Sequence, residues 1–221
     1  MKLFRVREEK IIYTDTSKID ADYTDKMNLE YNWMAKAYSV FMFFFPLWKI
    51  WIKKVIPHIE GQKILEVSFG NGYLMTEYGK NSNYSITGID YNEKMIEITE
   101  KKLQSKKIKA KLLQANVEKL PFENNTFNTV INTMAFTGYP DGDKALSEIK
   151  RVLKPGGKLL MVDFDYPKNR NFIGVCSVRM WMKFGDIIKD INALLKKHKF
   201  DYTDRQIGGF GSVHLFVCEK K

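Results

Sequence analysis

Metal and disulfide chemistry find little to work with in this chain. Its 221 residues hold two cysteines, Cys176 and Cys218, and three histidines, His58, His198 and His214. Neither cysteine belongs to a CxxC pair or a Cys/His cluster, so no metal site and no disulfide framework is expected. Two free thiols suit a reducing compartment. Long apolar runs are also missing. The strongest, Val40–Ile52 (VFMFFFPLWKIWI), contains Pro46 and Lys49 and falls short of the roughly 20 residues that a spanning helix needs. It reads as a segment that packs on the domain or lies in a membrane interface. The opening MKLFRVREEK has no apolar stretch and carries acidic residues, so it does not read as a signal peptide, and a cytoplasmic location is expected. There is no internal repeat and no low-complexity tract.

What is present is an ordinary globular composition with an excess of positive charge. Apolar residues make up 44% and charged residues 28%, which argues against disorder. Thirty-six Lys and Arg against 26 Asp and Glu leave a net charge of +10. That balance favours anionic partners: a membrane surface, a phosphate-bearing substrate or nucleic acid. Residues 1–60 form an arm and helices expected to act as a lid, with residues 23–57 at roughly helical spacing and interrupted at Pro46. From 61 onward short apolar runs alternate with helical patterns. Strands are predicted at Lys63–Ser68, Tyr84–Asp90, Lys109–Ala115, Phe127–Thr133 and Lys158–Phe164, with helices at Asn92–Gln104 and Asp143–Leu153. That rhythm implies a parallel sheet with helices on both faces. After a helix at Asp186–Lys199, two further strands, Tyr202–Ile207 and Val213–Glu219, are joined through Gly208, Gly209 and Gly211 and predict an antiparallel pair. The expected fold is a doubly wound α/β domain with a mostly parallel seven-stranded sheet, ending in an antiparallel hairpin, with an N-terminal helical extension.

Four marks fall in the order that a nucleoside cofactor needs. Glu66-Val-Ser-Phe-Gly70-Asn-Gly72 ends the first strand, where glycines let the backbone approach a ligand and begin a helix. Such a turn also occurs without any ligand. Asp90 ends the second strand, where a carboxylate can accept both ribose hydroxyls or simply cap the next helix. Asn116, after the third strand, can accept the adenine amino group, while the backbone N–H of Val117 serves a ring nitrogen. Arg151-Val-Leu-Lys-Pro155-Gly-Gly157, before strand five, is architectural and marks the register. Ser68, Asn71, Tyr91, Met95 and Thr133 stand beside these marks and complete the candidate cofactor set.

Together these residues resemble the class I S-adenosylmethionine-dependent methyltransferase domain between Lys63 and Asp163. Within that superfamily the nearest likeness is to the ubiquinone/menaquinone-biosynthesis C-methyltransferases. Three segments carry it: Tyr31–Ser39 followed by Leu47-Trp48-Lys49, the run QANVEKLPF, and Gly208–His214. The resemblance implies S-adenosyl-L-methionine as cofactor and a methyltransferase activity. There are departures. Ser68 replaces the first glycine of the turn, Asn128 stands where an Asp is usual, and Thr137-Gly138 replaces an Arg-Asn pair after strand four.

Methyl transfer asks for alignment and a dry site, and for a base only if the acceptor must lose a proton. The candidates for the acceptor side are Asp163, Tyr139, His214 and Tyr31, with Asp165 and Tyr166 beside them at the carboxyl edge of the sheet. His214 equally fits a hydrogen-bonded sheet histidine. Between Lys168 and Lys199 there are eight Lys or Arg against two Asp, interleaved with Phe172, Ile173, Val175, Met180, Trp181, Met182 and Phe184. A cationic lid at about 166–199 is expected there, suited to anionic lipid. No RNA module or stacking motif is visible, so nucleic acid is not an expected partner. The leading expectation is methylation of a lipophilic acceptor (a quinone precursor, a phospholipid amine or another lipid) near a membrane surface. A small soluble amine, thiol or carboxylate is the first alternative, and a cofactor-binding protein without catalysis the second. The acceptor atom, the pathway and the oligomeric state are not specified by the sequence.

Overall fold

The structure is a computed structural model and describes Ile11, Tyr13, Thr14 and residues 47–183 and 185–221. Tyr31, Phe184 and the Val40–Pro46 part of the aromatic run lie outside the described residues. Helix α1 (Leu47–Ile52) runs into a 3-10 turn at Lys53–His58 that contains Pro57. There follow β1 (Lys63–Val67), α2 (Tyr73–Tyr78), β2 (Ser85–Asp90), α3 (Glu93–Ser105), β3 (Ala110–Gln114), β4 (Phe127–Thr133), α4 (Gly142–Val152) and β5 (Leu153–Phe164). The chain ends with α5 (Phe172–Lys183), α6 (Ile191–Lys197), β6 (Phe200–Gly208) and β7 (Val213–Lys220).

The seven strands form one sheet in the order β3-β2-β1-β4-β5-β7-β6. The pairs from β3 to β5 are parallel, and β7 runs antiparallel to both β5 and β6. Successive residues of a strand face opposite sides, so each central strand feeds two cores. Leu65, Val67, Val130, Leu159 and Met161 enter one cluster, packed with Leu146 and Ile149 of α4. Ile64, Ile131, Leu160 and Val162 enter the other, with Met75 of α2 and Val178 of α5. Burial on both faces is why these strands read as continuous apolar runs rather than alternating ones. Chain order reverses between β1 and β4, and the crevice outside their carboxyl ends is where ligands settle in such sheets.

Two sequence expectations shift. The fifth strand begins at Leu153 rather than Lys158, because Leu153 already pairs with Phe127 before a register shift. The helix expected over 186–199 is confined to Ile191–Lys197, capped by Asp190, whose Oδ1 accepts from Ala193 N at 2.8 Å. Residues 186–190 are held off the helical path by their own partners. Ile187 N donates to Thr137 O at 2.7 Å, and Lys189 Nζ reaches Phe136 O at 3.2 Å. At the end of α6, His198 Nε2 lies 2.9 Å from Asp143 Oδ1 of α4. Helix α1 docks on the hairpin, with the Trp51 indole lying where a Cβ on Gly208 would stand, 2.1 Å from Nε1. Among the described residues no helix is long and apolar enough to cross a membrane.

Candidate functional site

The crevice at the carboxyl ends of β1, β2 and β4 gathers most of the predicted cofactor residues. The turn after β1 is built on positive φ at Ser68 (53°), Gly70 (56°) and Gly72 (67°). Gly72 is required by packing, since a Cβ there would stand 2.3 Å from the Thr99 side chain of α3. At Gly70 an added Cβ would meet nothing within 4 Å, so the backbone here lies open to a ligand. Thr99 Oγ1 donates to Gly70 O at 3.0 Å and fixes the turn from behind. Ser68, which cannot adopt positive φ without a cost of roughly 1–2 kcal/mol, is held by the hydroxyl of Tyr139 at 2.8 Å. Tyr139 in turn accepts from Asn132 Nδ2 at 2.6 Å. Asn132 is wholly buried, and among the described residues its Oδ1 has no partner, an acceptor left open two hydrogen bonds from the turn.

Asp90 clamps the same turn. Its Oδ2 accepts from Gly70 N at 2.8 Å and its Oδ1 from Asn92 N at 2.9 Å. The backbone N–H of Tyr91 is a third donor to this carboxylate, so three of its four acceptor sites are taken within the chain and one is left for a ligand hydroxyl. Burial pushes this carboxyl up to about 6, against the pull of the backbone hydrogen bonds. Asp90 is not the cap of α3: Asn92 is, accepting from Met95 N at 3.1 Å. Glu66 is fully buried, and burial pushes it up to about 8 despite the hydroxyl that Tyr78 donates at 2.9 Å. At neutral pH it is mainly a neutral acid, which a cation placed beside it would ionise. Asn71 Oδ1 accepts from Tyr73 N at 3.1 Å. Tyr91 and Thr133 are half-buried at the ends of β2 and β4, and Met95 is buried in the first turn of α3. Asn116 holds a turn, its Oδ1 accepting from Glu118 N at 2.8 Å, which leaves its amide N–H groups and a second lone pair; Val117 beside it is buried. An open glycine backbone, a carboxylate with an acceptor site to spare and an amide one strand away fit a nucleoside cofactor.

The acceptor-side candidates separate into three groups. Asp163 is completely buried and saturated. Its Oδ2 accepts from Ala135 N (3.1 Å) and Phe136 N (2.6 Å), and its Oδ1 from Phe164 N (2.8 Å) and Thr137 Oγ1 (3.0 Å). It thus pins the loop after β4 to β5. Thr137, at the departure from the family pattern, also contacts Asp186 Oδ1 at 3.0 Å, so it turns into the protein and presents no charge to the crevice. Tyr139 is tied to the turn after β1 through Ser68, and burial together with the Asp163 and Asp90 carboxylates raises its phenol, so it stays neutral. His214 is buried, with Nδ1 2.7 Å from Asp204 Oδ1 and Nε2 2.9 Å from Gly211 O. Both ring nitrogens are engaged, as in a hydrogen-bonded sheet histidine. Asn132, Thr99 and Asp186 had no motif to mark them; only the sheet register and the loop folds bring them to the site.

A profile of the ubiE/COQ5 methyltransferase family matches residues 14–206. The ubiquinone/menaquinone biosynthesis C-methyltransferase UbiE of Blochmanniella floridana is 35% identical over 133 residues, 57% of this chain and 52% of the relative. Its counterpart from Wigglesworthia glossinidia brevipalpis is 39% identical over 110 residues, 48% of this chain and 44% of the relative. The chain thus matches about half the length of these curated relatives. Among solved structures, a SAM-dependent methyltransferase of Thermotoga maritima described as a possible histamine N-methyltransferase superposes with a TM-score of 0.69. It shares 16% identity, with coverage of 86% of this chain and 98% of that one. Geranyl diphosphate methyltransferase gives 0.65 at 14% identity, covering 77% and 78%. Identities this low establish a shared fold.

Proposed function

We propose, from the premise that the chain belongs to the ubiE/COQ5 methyltransferase family, that it transfers a methyl group from S-adenosylmethionine to a ring carbon of a lipophilic, hydroxyl-bearing aromatic acceptor at an anionic membrane surface. The observation that carries the reading is the Gly70–Asp90 clamp, an open glycine backbone tied to a carboxylate at the end of β2. Gly70, Gly72, Asp90 and Asn116 would hold the cofactor, which supplies an activated methyl group. The chain's own part is to orient the acceptor, exclude water and take a proton. Quinone-biosynthesis enzymes among the relatives favour a ring acceptor. The exposed side chains Phe172, Ile173 and Phe210 lie among Lys168, Arg170 and Arg179, and that combination of apolar and cationic groups favours the membrane. The test is transfer of labelled methyl into a total lipid and metabolite extract, with identification of the product. Label in a methylated ring of a lipid-soluble product is the expected result. Label confined to water-soluble amines, thiols or carboxylates overturns the reading.

A further inference from the structure

Past the end of β5 lies a cavity of about 420 Å³, outside the cofactor crevice but on the same edge of the sheet. Its wall includes Tyr13, Asp165, Tyr166, Arg170, Asp204 and His214. Tyr13 and Tyr166 meet edge to face, with ring centroids 5.9 Å apart, an aromatic surface suited to a flat ring. Asp165 is the unusual member. It is 3% exposed, yet its Oδ1 accepts only from the next backbone N–H, Tyr166 N at 2.7 Å. Among the described residues no hydrogen bond reaches Oδ2. That oxygen is left to the cavity, where solvent or a bound molecule can use it, while burial of the carboxyl as a whole penalises its charged form.

We propose that this cavity holds the hydroxyl-bearing ring of the acceptor and that Asp165 accepts the proton of that hydroxyl. This rests on the hydroxylated aromatic acceptor proposed above. In the step the ring O–H bond breaks, its electron pair stays on the ring oxygen, and the proton passes to Asp165; no other reagent is consumed. The neighbours suit the role. Burial raises the carboxyl to about 7, with Asp204 of β6 and Asp190 at the start of α6 pushing it up and His214 of β7 pulling it down. A base poised near neutrality is the effective kind. The other wall groups are poor rivals. His214 is engaged at both nitrogens. The Tyr13 phenol is pushed far up, first by burial and then by Asp165 and Asp190. Lys168 is held by Asp204 through its carbonyl at 2.6 Å and its carboxylate at 3.2 Å, and Arg170 stands at the exposed rim.

The experiment is calorimetric titration of the full chain with hydroquinone and with 1,4-dimethoxybenzene, the same ring without hydroxyls. Hydroquinone should bind at least about tenfold tighter above pH 7, and the advantage should shrink as the pH falls through that region. Asp165→Asn should erase both the advantage and the pH step, with S-adenosylhomocysteine affinity unchanged and a thermal midpoint no lower than that of the unaltered protein. Persistence of the advantage in Asp165→Asn, or tighter binding of benzylamine than of hydroquinone, overturns the proposal. The two readings fail separately. Hydroquinone bound through Asp165 with no labelled ring product in the extract leaves the site standing and removes the acceptor reading. Ring methylation with the same kcat, KM and pH profile in Asp165→Asn does the reverse.

Discussion

Asp163 and Asp165 stand two residues apart on the same strand end, and their surroundings give them opposite roles. Asp163 receives four donors within 3.1 Å. Asp163→Ala strands three backbone N–H groups in the interior and should cost at least about 3 kcal/mol, since hydrogen bonds to a charged acceptor contribute roughly 1.5–3 kcal/mol each. Asp165 receives one donor, and its substitution should stabilise. Below pH 4 the folded and unfolded chains both keep the Asp165 proton, and the side chain costs nothing extra. Between the ordinary value of 3.8 and about 7 the unfolded chain ionises more readily, so this residue costs more stability as the pH rises, levelling off above 7. Asp165→Asn should therefore gain stability over that window, to a ceiling of roughly 4 kcal/mol at neutral pH. Urea denaturation at pH 4.5 and pH 7.5 checks both variants, and a destabilised Asp165→Asn at pH 7.5 contradicts the account. At Asp90 the sign concerns binding. The carboxylate, present above about 6, would accept a ribose hydroxyl more strongly than the protonated acid. Affinity for S-adenosylhomocysteine should be level above pH 7 and fall below 6. Asp90→Ala should lower it by roughly 30-fold or more at pH 7.5, the equivalent of losing charge-assisted bonds worth at least about 2 kcal/mol. Equal affinities of the variant and the unaltered protein by calorimetry would remove Asp90 from the ribose site.

At the scale of elements, the strands were the most legible feature because burial on both faces leaves an unmistakable apolar run between turn residues, as in Lys63–Val67 and Phe127–Thr133. The closing hairpin was legible from its glycines. The 186–190 stretch was not. Its spacing suits a helix, but Asp186 and Lys189 are drawn to Thr137 and Phe136, contacts between segments about 50 residues apart that no local pattern records. The same limit applied to the site. Gly70, Asp90 and Asn116 carried a motif, whereas Asn132 lay unmarked in a strand and Asp163 had the right position for a reacting group but the partners of a fastener. The docking of α1 was likewise hidden. Gly208 read as a turn glycine, yet its φ of −179° is extended and asks nothing of glycine. What it supplies is space for the Trp51 indole, whose Nε1 and Cε2 would lie 2.1 and 2.4 Å from a Cβ. Gly208→Ala should consequently destabilise by about 1–3 kcal/mol, the usual cost of overpacking. Trp51→Leu in the same chain should recover part of that loss. Urea denaturation of the single and double variants measures it, and additive effects would show that the two residues do not touch.

Across the whole molecule, α1, α5 and the turn at 208–211 converge. Trp51 covers Gly208, while Asn171 Nδ2 donates to Phe210 O at 2.8 Å from the start of α5. Around this junction apolar side chains face outward: Phe210 is 69% exposed, Phe172 66% and Ile173 54%, with Leu47 and Ile50 outward on α1. Phe210 sits at the tip of its turn in the left-handed region, with φ of 54°, a strained placement that holds an aromatic ring in water. Lys168, Arg170 and Arg179 share the region, and Pro167, Lys168 and Arg170 also border the Asp165 cavity. A surface of this kind has two separable attractions for a bilayer. Burying a phenylalanine contributes roughly 1.5–3 kcal/mol and ignores salt, whereas each cation near an anionic surface contributes about 1 kcal/mol and weakens as the Debye length shrinks to about 3 Å at 1 M. Co-sedimentation with phosphatidylglycerol vesicles at low ionic strength should therefore be strong, binding to phosphatidylcholine vesicles weak, and most of the binding lost at 1 M salt. Phe172→Ser with Phe210→Ser should lower the binding that survives at high salt, and Arg179→Glu with Lys183→Glu the part that salt removes. Neither pair should alter affinity for S-adenosylhomocysteine, because none of the four residues reaches the Gly70–Asp90 clamp. A protein that stays in the supernatant with anionic vesicles at low salt has no membrane face. Its lipophilic acceptor would then have to reach the Asp165 cavity through water, and a small soluble ring would become the better substrate.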